Sequence, residues 1–506
     1  MMKSADTWRI FSDDATAAVR RNLLVYIFIP LISFALHVHI FPRDLVGFHV
    51  WRQTHTQINI DNFYSEDLNI LHPRINERGD GDGIHRMEFP VMQWLFALVY
   101  RLLGHDVALS RLLSFIIGVL SLYGIYHLIR NVFRDNRHAA LGVWAFCFSP
   151  VFYYYTVNPM PDNFALCCSL WGMALFFKYI RTKSFVDASF SAACLGAATL
   201  AKLPYVLCLA GVGAYIVSGI PRLGSEERKE YFRLAALYIA MLIPAVIWYA
   251  AVIPQWSGNG IVLGMLDSRL PPGEILKIMR FHLMSSLPEL LVNYGSVIFF
   301  LAGIVSVFRR KTFARSGFLI LGCWGIGLLL YFLFEMNMIG YVHDYYLLPF
   351  LPPVFLIVFE GIRYLMSSNR RYLRVAATVC LLVLPLAAFL RINHRWDLES
   401  PGLNRDLLVY KADLQNAVPN DALCVVGNDE SHHIFFYYIN KKGWGFHNNG
   451  LDHGRLKGMI IRGARYLYSD SRGIDENETI QPLIGDLVLE RGSIRVYRLR
   501  LPPDQI

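Results

Sequence analysis

Residues 89–104 read FPVMQWLFALVYRLLG. The stretch is apolar enough to enter a bilayer. At 16 residues, with Arg101 inside it, it is shorter than the roughly 20 apolar residues a spanning helix needs. Whether it crosses decides the arrangement of the whole chain. If it does not, alternate connections become strongly basic: Lys3, Arg9, Arg20 and Arg21 before the first span, then 130–138, 181–184, 221–233, 309–315 and 363–374. Basic connections belong on the cytoplasmic side. If 89–104 did cross, that alternation would lose phase after the first span. The stretch is therefore expected to be an interfacial or re-entrant helix.

Composition agrees with a chain that lives in the membrane. Of 506 residues, 55% are hydrophobic and 17% charged, against about 45–50% and about 25% in soluble domains. Apolar runs fall near 22–42, 107–129, 139–157, 164–180, 186–201, 203–219, 234–253, 290–308, 316–334, 345–362 and 373–391. The expected fold class is a polytopic α-helical membrane protein with about 11 transmembrane helices, in a range of about 10–13. No small-residue cleavage site follows the first run, which is expected to remain as an anchor. The net charge of +9 is accounted for by topology and does not mark a nucleic-acid surface. Seven of the eight cysteines lie in apolar runs and form no metal or disulfide pattern.

Three parts follow: a cytoplasmic N-terminus (1–21), a transmembrane domain (22–391) with a long first outer loop (43–106), and an extracytoplasmic tail (392–506). The tail reads as a small α/β domain. Its candidate strands are 422–428, 433–440, 465–471 and a hairpin over 487–499, with helices at 403–416 and 451–462. His432, His433, His447 and His453 match no metal spacing and are expected at the solvated surface.

The chemistry-bearing residues gather on the side opposite the basic connections. In the first outer loop, FHVWRQTHT (48–56) crowds His49, Trp51, Arg52 and His55 together. A short helix on the membrane surface fits, with Trp51 as an interfacial anchor and Arg52 snorkelling; a functional loop fits equally. Glu88 precedes the 89–104 helix, either as a charge suited to the helix dipole or as a ligand for a cation or sugar hydroxyl. Asp162, in NPMPDN (158–163), is either a helix cap or part of a site. Lys202 is the single charge in the apolar run 188–219. A lysine at the bilayer centre costs on the order of 2.5–3.5 kcal/mol, so Lys-Leu-Pro is expected to be a turn between two helices. It is then a phosphate ligand or a plain loop charge. YVHDYYLLPFLPP (341–353) sets His343, Tyr345 and Tyr346 at the mouth of a proline-broken helix, as happens where backbone lines a cavity.

In this order, these elements resemble the GT-C superfamily of membrane glycosyltransferases, and more narrowly the bacterial relatives of protein O-mannosyltransferases and lipid A aminoarabinose transferases. The resemblance covers about residues 20–365. It rests on the long first loop, Glu-x-Pro at 88–90, N-x-x-P-D at 158–162, Leu-x-Lys-x-Pro at 200–204 and Tyr-Tyr-x-x-Pro ending at Pro349. It implies a GT-C fold and a hexosyl- or pentosyltransferase of the cell inner membrane. Such an enzyme moves a sugar from a polyprenyl-phosphate donor to an extracytoplasmic lipid, glycan or protein, by inverting displacement. Arg52, Lys202, His343, Tyr345 and Tyr346 would hold the donor phosphate; Glu88 and Asp162 would orient sugar or acceptor. No cofactor is implied, and a divalent metal stays open. The family's early Asp-Glu pair is replaced here by His49-Val50-Trp51-Arg52-Gln53. The base is then His49, Asp44 or Asp61, in that order, or none is needed because the acceptor is an ionised phosphate. A transporter or flippase of polyprenyl-linked lipids, or an O-antigen polymerase or ligase, are the competing readings.

Overall fold

The structure, a computed structural model, describes residues 19–133, 137–220, 225–256, 264–310, 315–447 and 450–501. The N-terminal stretch 1–18 and parts of the basic connections 130–138, 221–233 and 309–315 lie outside the described residues. The chain forms two compact units. One comprises residues 1–41 and 112–392, the other 42–111 and 393–506. The first outer loop thus belongs to the same unit as the tail.

The first unit is helical. Among the described residues, seven helices are long and apolar enough to cross a membrane, or eight if the pair Pro272–Leu291 and Tyr294–Arg309, bent by 99°, counts as one. The seven are Val19–His37, Val107–Phe133, Pro161–Thr182, Arg228–Gln255, Ser316–Phe334, Asp344–Met366 and Arg371–Trp396. Phe185–Ala201 and Leu203–Gly219 are shorter and apolar. The run 139–157 is helical in two pieces, Ala139–Cys147 and Pro150–Tyr155. The break comes where Ser149 turns extended and Pro150 takes the first position of the new helix, the place where a missing N–H costs nothing. The stretch that decided the sequence reading is the 13-residue helix Val91–Leu103, which is among the shorter apolar helices.

Small residues set one close helix crossing. A Cβ on Gly361 would overlap the Phe299 carbonyl, and one on Gly303 would overlap that of Ile357. The helices Tyr294–Arg310 and Leu351–Met366 therefore meet backbone to backbone, as membrane helices do at small residues. Beside that crossing, buried Glu360 accepts from Ser306 Oγ at 2.5 Å and pairs with Arg363 at 2.6 Å.

The second unit carries a five-stranded sheet in the order β2-β1-β3-β5-β4. The strands are β1 (Leu423–Gly427), β2 (Lys442–Gly445), β3 (Tyr466–Ser469), β4 (Ile484–Arg491) and β5 (Ile494–Leu499). β2, β1 and β3 are parallel; β5 and β4 return antiparallel as the expected hairpin. One expected strand is corrected: 433–440 contains the helix Ile434–Ile439. Asp429 Oδ2 accepts from Phe435 N at 2.9 Å and Ser431 Oγ from Ile434 N at 2.9 Å. These bonds satisfy the first turn's amides and start a helix where the aromatic run alone suggested a strand. A second correction concerns the tail histidines. His433 is buried, not solvated.

The glycine crossing yields a test. Gly361→Val should destabilise the protein by about 1–3 kcal/mol through overpacking. Gly322→Ala, where a Cβ meets nothing within 4 Å, should not. Thermal unfolding in detergent compares the two.

Candidate active-site residues in two units

In the helical unit, the NPMPDN turn is locked from within. Asn158 Nδ2 donates to the Tyr154 carbonyl at 3.0 Å, and Asn163 Nδ2 to the Asn158 carbonyl at 3.0 Å and to that of Tyr155. Met160 is extended and Pro161 opens the helix Pro161–Thr182, placing Asp162 in its first turn. There the helix dipole favours a carboxylate. Asp162 is nonetheless 1% exposed, an unusual setting for a mere capping charge.

Lys202 sits where the sequence requires a break. The helix Phe185–Ala201 ends at it, its own backbone is extended, and a 3-10 turn, Leu203–Leu207, follows. Pro204 disfavours helical geometry at the residue before it. Lys202 Nζ lies 3.5 Å from Asp162 Oδ1 and 5.3 and 5.6 Å from the ring centroids of Tyr346 and Tyr345. Tyr205 Oη donates to the Asp162 carbonyl at 3.4 Å. A cation held this way meets one carboxylate and two aromatic faces, a setting that also suits a phosphate oxygen.

Both tyrosines belong to the 3-10 segment Asp344–Phe350, which His343 precedes in extended conformation. Tyr155 Oη donates to Asp344 Oδ1, tying this segment to the Pro150–Tyr155 helix. The His343 ring lies 5.3 and 5.1 Å from the Tyr345 and Tyr346 rings. The helical unit thus brings Asp162, Lys202, His343, Tyr345 and Tyr346 into one cluster. The sequence reading passed over Glu335, just beyond the Ser316–Phe334 helix. It is buried, its Oε2 has no hydrogen-bond partner, and desolvation pushes its carboxyl up to about 7. The legible clue was an acid placed directly after an apolar span.

In the second unit, the helix Val50–Ser65 does not have the solvated polar side of a surface anchor. Arg52, Gln53, His55, Gln57, Asn59 and Asn62 are all buried. Gln57 Nε2 donates to Tyr100 Oη at 3.0 Å, and Asn59 and Asn62 Nδ2 donate to the Arg74 carbonyl at 2.8 and 2.9 Å. Arg52 is ion-paired with Glu88 and contacts His55 Nδ1 at 2.7 Å, so this unit joins two of the expected site residues. Snorkelling of Arg52 is thereby corrected. Trp51, half-buried, lines a cavity of about 570 Å³ together with Asp429, Glu430 and Asp470.

The three base candidates differ in their surroundings. Asp44 accepts from Lys411 Nζ at 2.5 Å and Tyr437 Oη at 2.6 Å. Asp61 accepts from Gln57 Nε2 at 2.7 Å and contacts His105 Nε2 at 2.8 Å. His49 caps the Val50–Ser65 helix in left-handed conformation, φ 55°, and is half-buried. Beside Arg52, the His55 and His433 rings stack at 4.4 Å. Burial, with the charges of His85 and Arg52 adding to it, pushes His433 down to about 3. Burial and Arg52 also lower His85. The His433 imidazole is neutral at pH 7. Among the described residues, no group of three or more His, Cys, Asp or Glu is arranged to hold a metal.

The fold has relatives. The helical unit matches the structure of ArnT from Cupriavidus metallidurans along with the tail: TM-score 0.63, 14% identity, covering 95% of this chain and 98% of that one. A second structure of that protein, bound to undecaprenyl phosphate, matches at TM-score 0.61 and 14% identity, covering 94% and 97%. The oligosaccharyltransferase of Archaeoglobus fulgidus matches at TM-score 0.58 and 13% identity over 89% of this chain and 69% of its own. The arabinofuranosyltransferase AftD from Mycobacteria matches at TM-score 0.60 and 13% identity over 96% and 40%. This is the GT-C fold. The sequence profile of the family described as dolichyl-phosphate-mannose-protein mannosyltransferase matches residues 88–248, less than half of the chain. That stretch holds Glu88, Asp162 and Lys202. Comparison with curated protein sequences finds no match. The chain is a membrane protein with the GT-C fold.

Glu335 makes the stability of this fold depend on pH. The folded state keeps the Glu335 proton up to about 7, whereas the unfolded state releases it near 4.5. The folded state binds more protons in that window, so stability falls as pH rises through it and stays lower above. Glu335→Gln removes the ionisable group. Its thermal midpoint should gain on wild type between about pH 5 and about pH 8; a constant difference would show that Glu335 ionises normally.

Proposed function

We propose that the protein is an inverting membrane glycosyltransferase that takes its sugar from a polyprenyl-phosphate donor and passes it to an extracytoplasmic acceptor. The observation carrying this reading is Lys202, 13% exposed and set 3.5 Å from Asp162 beside two tyrosine rings, on the GT-C fold. A solved protein of that fold has been captured with undecaprenyl phosphate. In this orientation the N-terminus is cytoplasmic, the tail is extracytoplasmic, and the membrane is the cell's inner membrane.

The reaction breaks the bond between the anomeric carbon and the phosphate oxygen, and the electron pair leaves with the polyprenyl phosphate. Lys202 neutralises the charge that builds there, and the Tyr345 and Tyr346 hydroxyls and the His343 imidazole supply donors. Fixed charges of this kind act most strongly away from water. The acceptor oxygen attacks from the opposite face, which inverts the anomeric configuration. Asp162 and Glu88 orient sugar or acceptor, Glu88 with its carboxylate fixed by Arg52. A hydroxyl acceptor must also lose a proton. Asp44 and Asp61 already accept hydrogen bonds from Lys411, Tyr437 and Gln57, and His49 is the one imidazole of the three candidates, the side chain most often used as a general base. His49 is therefore our first choice as base. An acceptor that is itself an ionised phosphate removes the need for one.

Purified protein should release polyprenyl phosphate from a labelled polyprenyl-phosphate sugar. Lys202→Ala should slow that release by about 10²–10³-fold, the scale of losing one fixed charge-stabilising donor. Asp162→Ala and Glu88→Ala should abolish it. Undiminished turnover in both acid variants sinks the site assignment. Movement of intact donor across the membrane without sugar release would identify a flippase.

A further inference from the structure

At the far end of the Pro161–Thr182 helix from Asp162 lies a second polar cavity, of about 440 Å³, between that helix and Val107–Phe133. Its lining includes His127, Arg130, Asn131, Trp171, Lys178 and Arg181. Lys178 is 16 residues beyond Asp162, which at helical rise is about 24 Å. The cavity is therefore separate from the Lys202 cluster and has no part in the proposed chemistry. It lies at the end whose connections carry the basic surplus.

The spacing of its lining residues is built into the helices. Trp171, Lys178 and Arg181 recur at intervals that keep side chains on one face. His127, Arg130 and Asn131 do the same on the neighbouring helix. The two helices touch at Gly124, where a Cβ would meet Leu170 at 2.9 Å and Trp171 at 3.3 Å. Further along the same two helices, their side chains line the cavity. Internal bonds hold its walls. Arg181 donates to Asn131 Oδ1 at 3.0 Å, Asn131 Nδ2 donates to the Ala174 carbonyl at 2.9 Å, and His127 Nε2 meets Tyr26 Oη at 2.9 Å. The Arg130 guanidinium lies 5.2 Å over the Tyr126 ring. Lys178 pairs with Asp187 at 2.8 Å, a carboxylate outside the lining. Among the described residues, three cations face the cavity and no carboxylate lines it.

A cavity with that charge selects an anion, and its surroundings say which kind. Trp171 Nε1 donates to the Leu120 carbonyl at 3.0 Å, which lays the indole against the next helix. Leu120 and Ile116 are 42% and 45% exposed. They share the helix face of His127 and Asn131 by their spacing. An apolar strip thus runs from the cationic cavity along a helix that crosses the bilayer. Free phosphate would use the cations and ignore the strip; a lipid uses both.

We propose that this cavity binds the phosphate of an anionic phospholipid, with its acyl chain along Leu120 and Ile116. Arg130 and Arg181 grip the phosphate, Lys178 supplies a half-neutralised third charge, and Trp171 lies between these cations and the apolar strip. Basic pockets between membrane helices take anionic headgroups in this way. The site is independent of the glycosyl-transfer reading, since no residue is shared.

Native mass spectrometry of the full chain in neutral detergent tests this with phosphatidylglycerol, phosphatidylcholine and inorganic phosphate as probes. Wild type should retain phosphatidylglycerol in preference to phosphatidylcholine, and inorganic phosphate should not displace it. Arg130→Gln with Arg181→Gln should weaken phosphatidylglycerol binding about 30-fold, at roughly one membrane-surface charge's worth per arginine. Lys277→Gln, a basic residue elsewhere, should leave it unchanged. If the double variant does not fold, Arg181→Gln alone, an exposed side chain, should weaken binding about 5-fold. Equal phosphatidylglycerol binding by wild type and a folded arginine variant overturns the proposal. So does displacement by inorganic phosphate at equal concentration.

Discussion

One lysine constrains the helical unit more than any other residue. Lys202 interrupts an apolar run that extends from about 188 to 219. Placed mid-bilayer it would cost on the order of 2.5–3.5 kcal/mol. The chain avoids that by ending one helix at Ala201, extending Lys202, and starting again through a 3-10 turn at Pro204. The two short helices follow from this break. So does the position of the ammonium, which reaches Asp162 in the first turn of another helix and lies over two tyrosines. The buried Asp162 carboxylate needs the half-buried ammonium beside it, because alone it would be an uncompensated buried charge. The locked NPMPDN turn and the 3-10 segment at 344–350 keep both partners in place. Stability alone would be met as well by an apolar pair, which is why the arrangement points to chemistry.

The second unit solves a different problem. Its helix at 50–65 buries amides, an arginine and a histidine, and each must find a partner or cost free energy. Backbone carbonyls of the first loop, Tyr100 and Glu88 supply them. The reward is rigidity: Arg52 and Glu88 fix one another, and the His55 and His433 rings beside them stack. The same accounting separates the base candidates. Asp44 holds the sheet-bearing tail to the first loop through Lys411 and Tyr437, a structural task that a catalytic base could not share without losing its hydrogen bonds.

Much of this was legible in the sequence, for identifiable reasons. Each expected apolar run carries helix in the structure, because burial of backbone polar groups in lipid leaves a chain few alternatives. Lys202 announced its own turn, since a lone charge in an apolar run has few tolerable positions. The hairpin at 484–499 was marked by its Gly-Ser turn. What escaped depended on tertiary context. HIFFYYIN looks like a strand by residue type, but Asp429 and Ser431 satisfy the amides that begin a helix, and that local bonding won. β2, the Gly-rich KGWG, has little strand propensity of its own and exists because β1 pairs with it. Burial of His433 is invisible to a reading that sees only polarity. The polar helix at 50–65 was open to a surface reading because its sequence does not show what packs over it.

The central claim is that Lys202 receives the phosphate of a polyprenyl-linked donor. A structure determined with polyprenyl phosphate bound tests it most directly. The account predicts the phosphate within salt-bridge reach of Lys202 Nζ, drawing it off Asp162, with the Tyr345 and Tyr346 hydroxyls alongside. A phosphate resolved elsewhere, with the Lys202–Asp162 pair left intact, would contradict it.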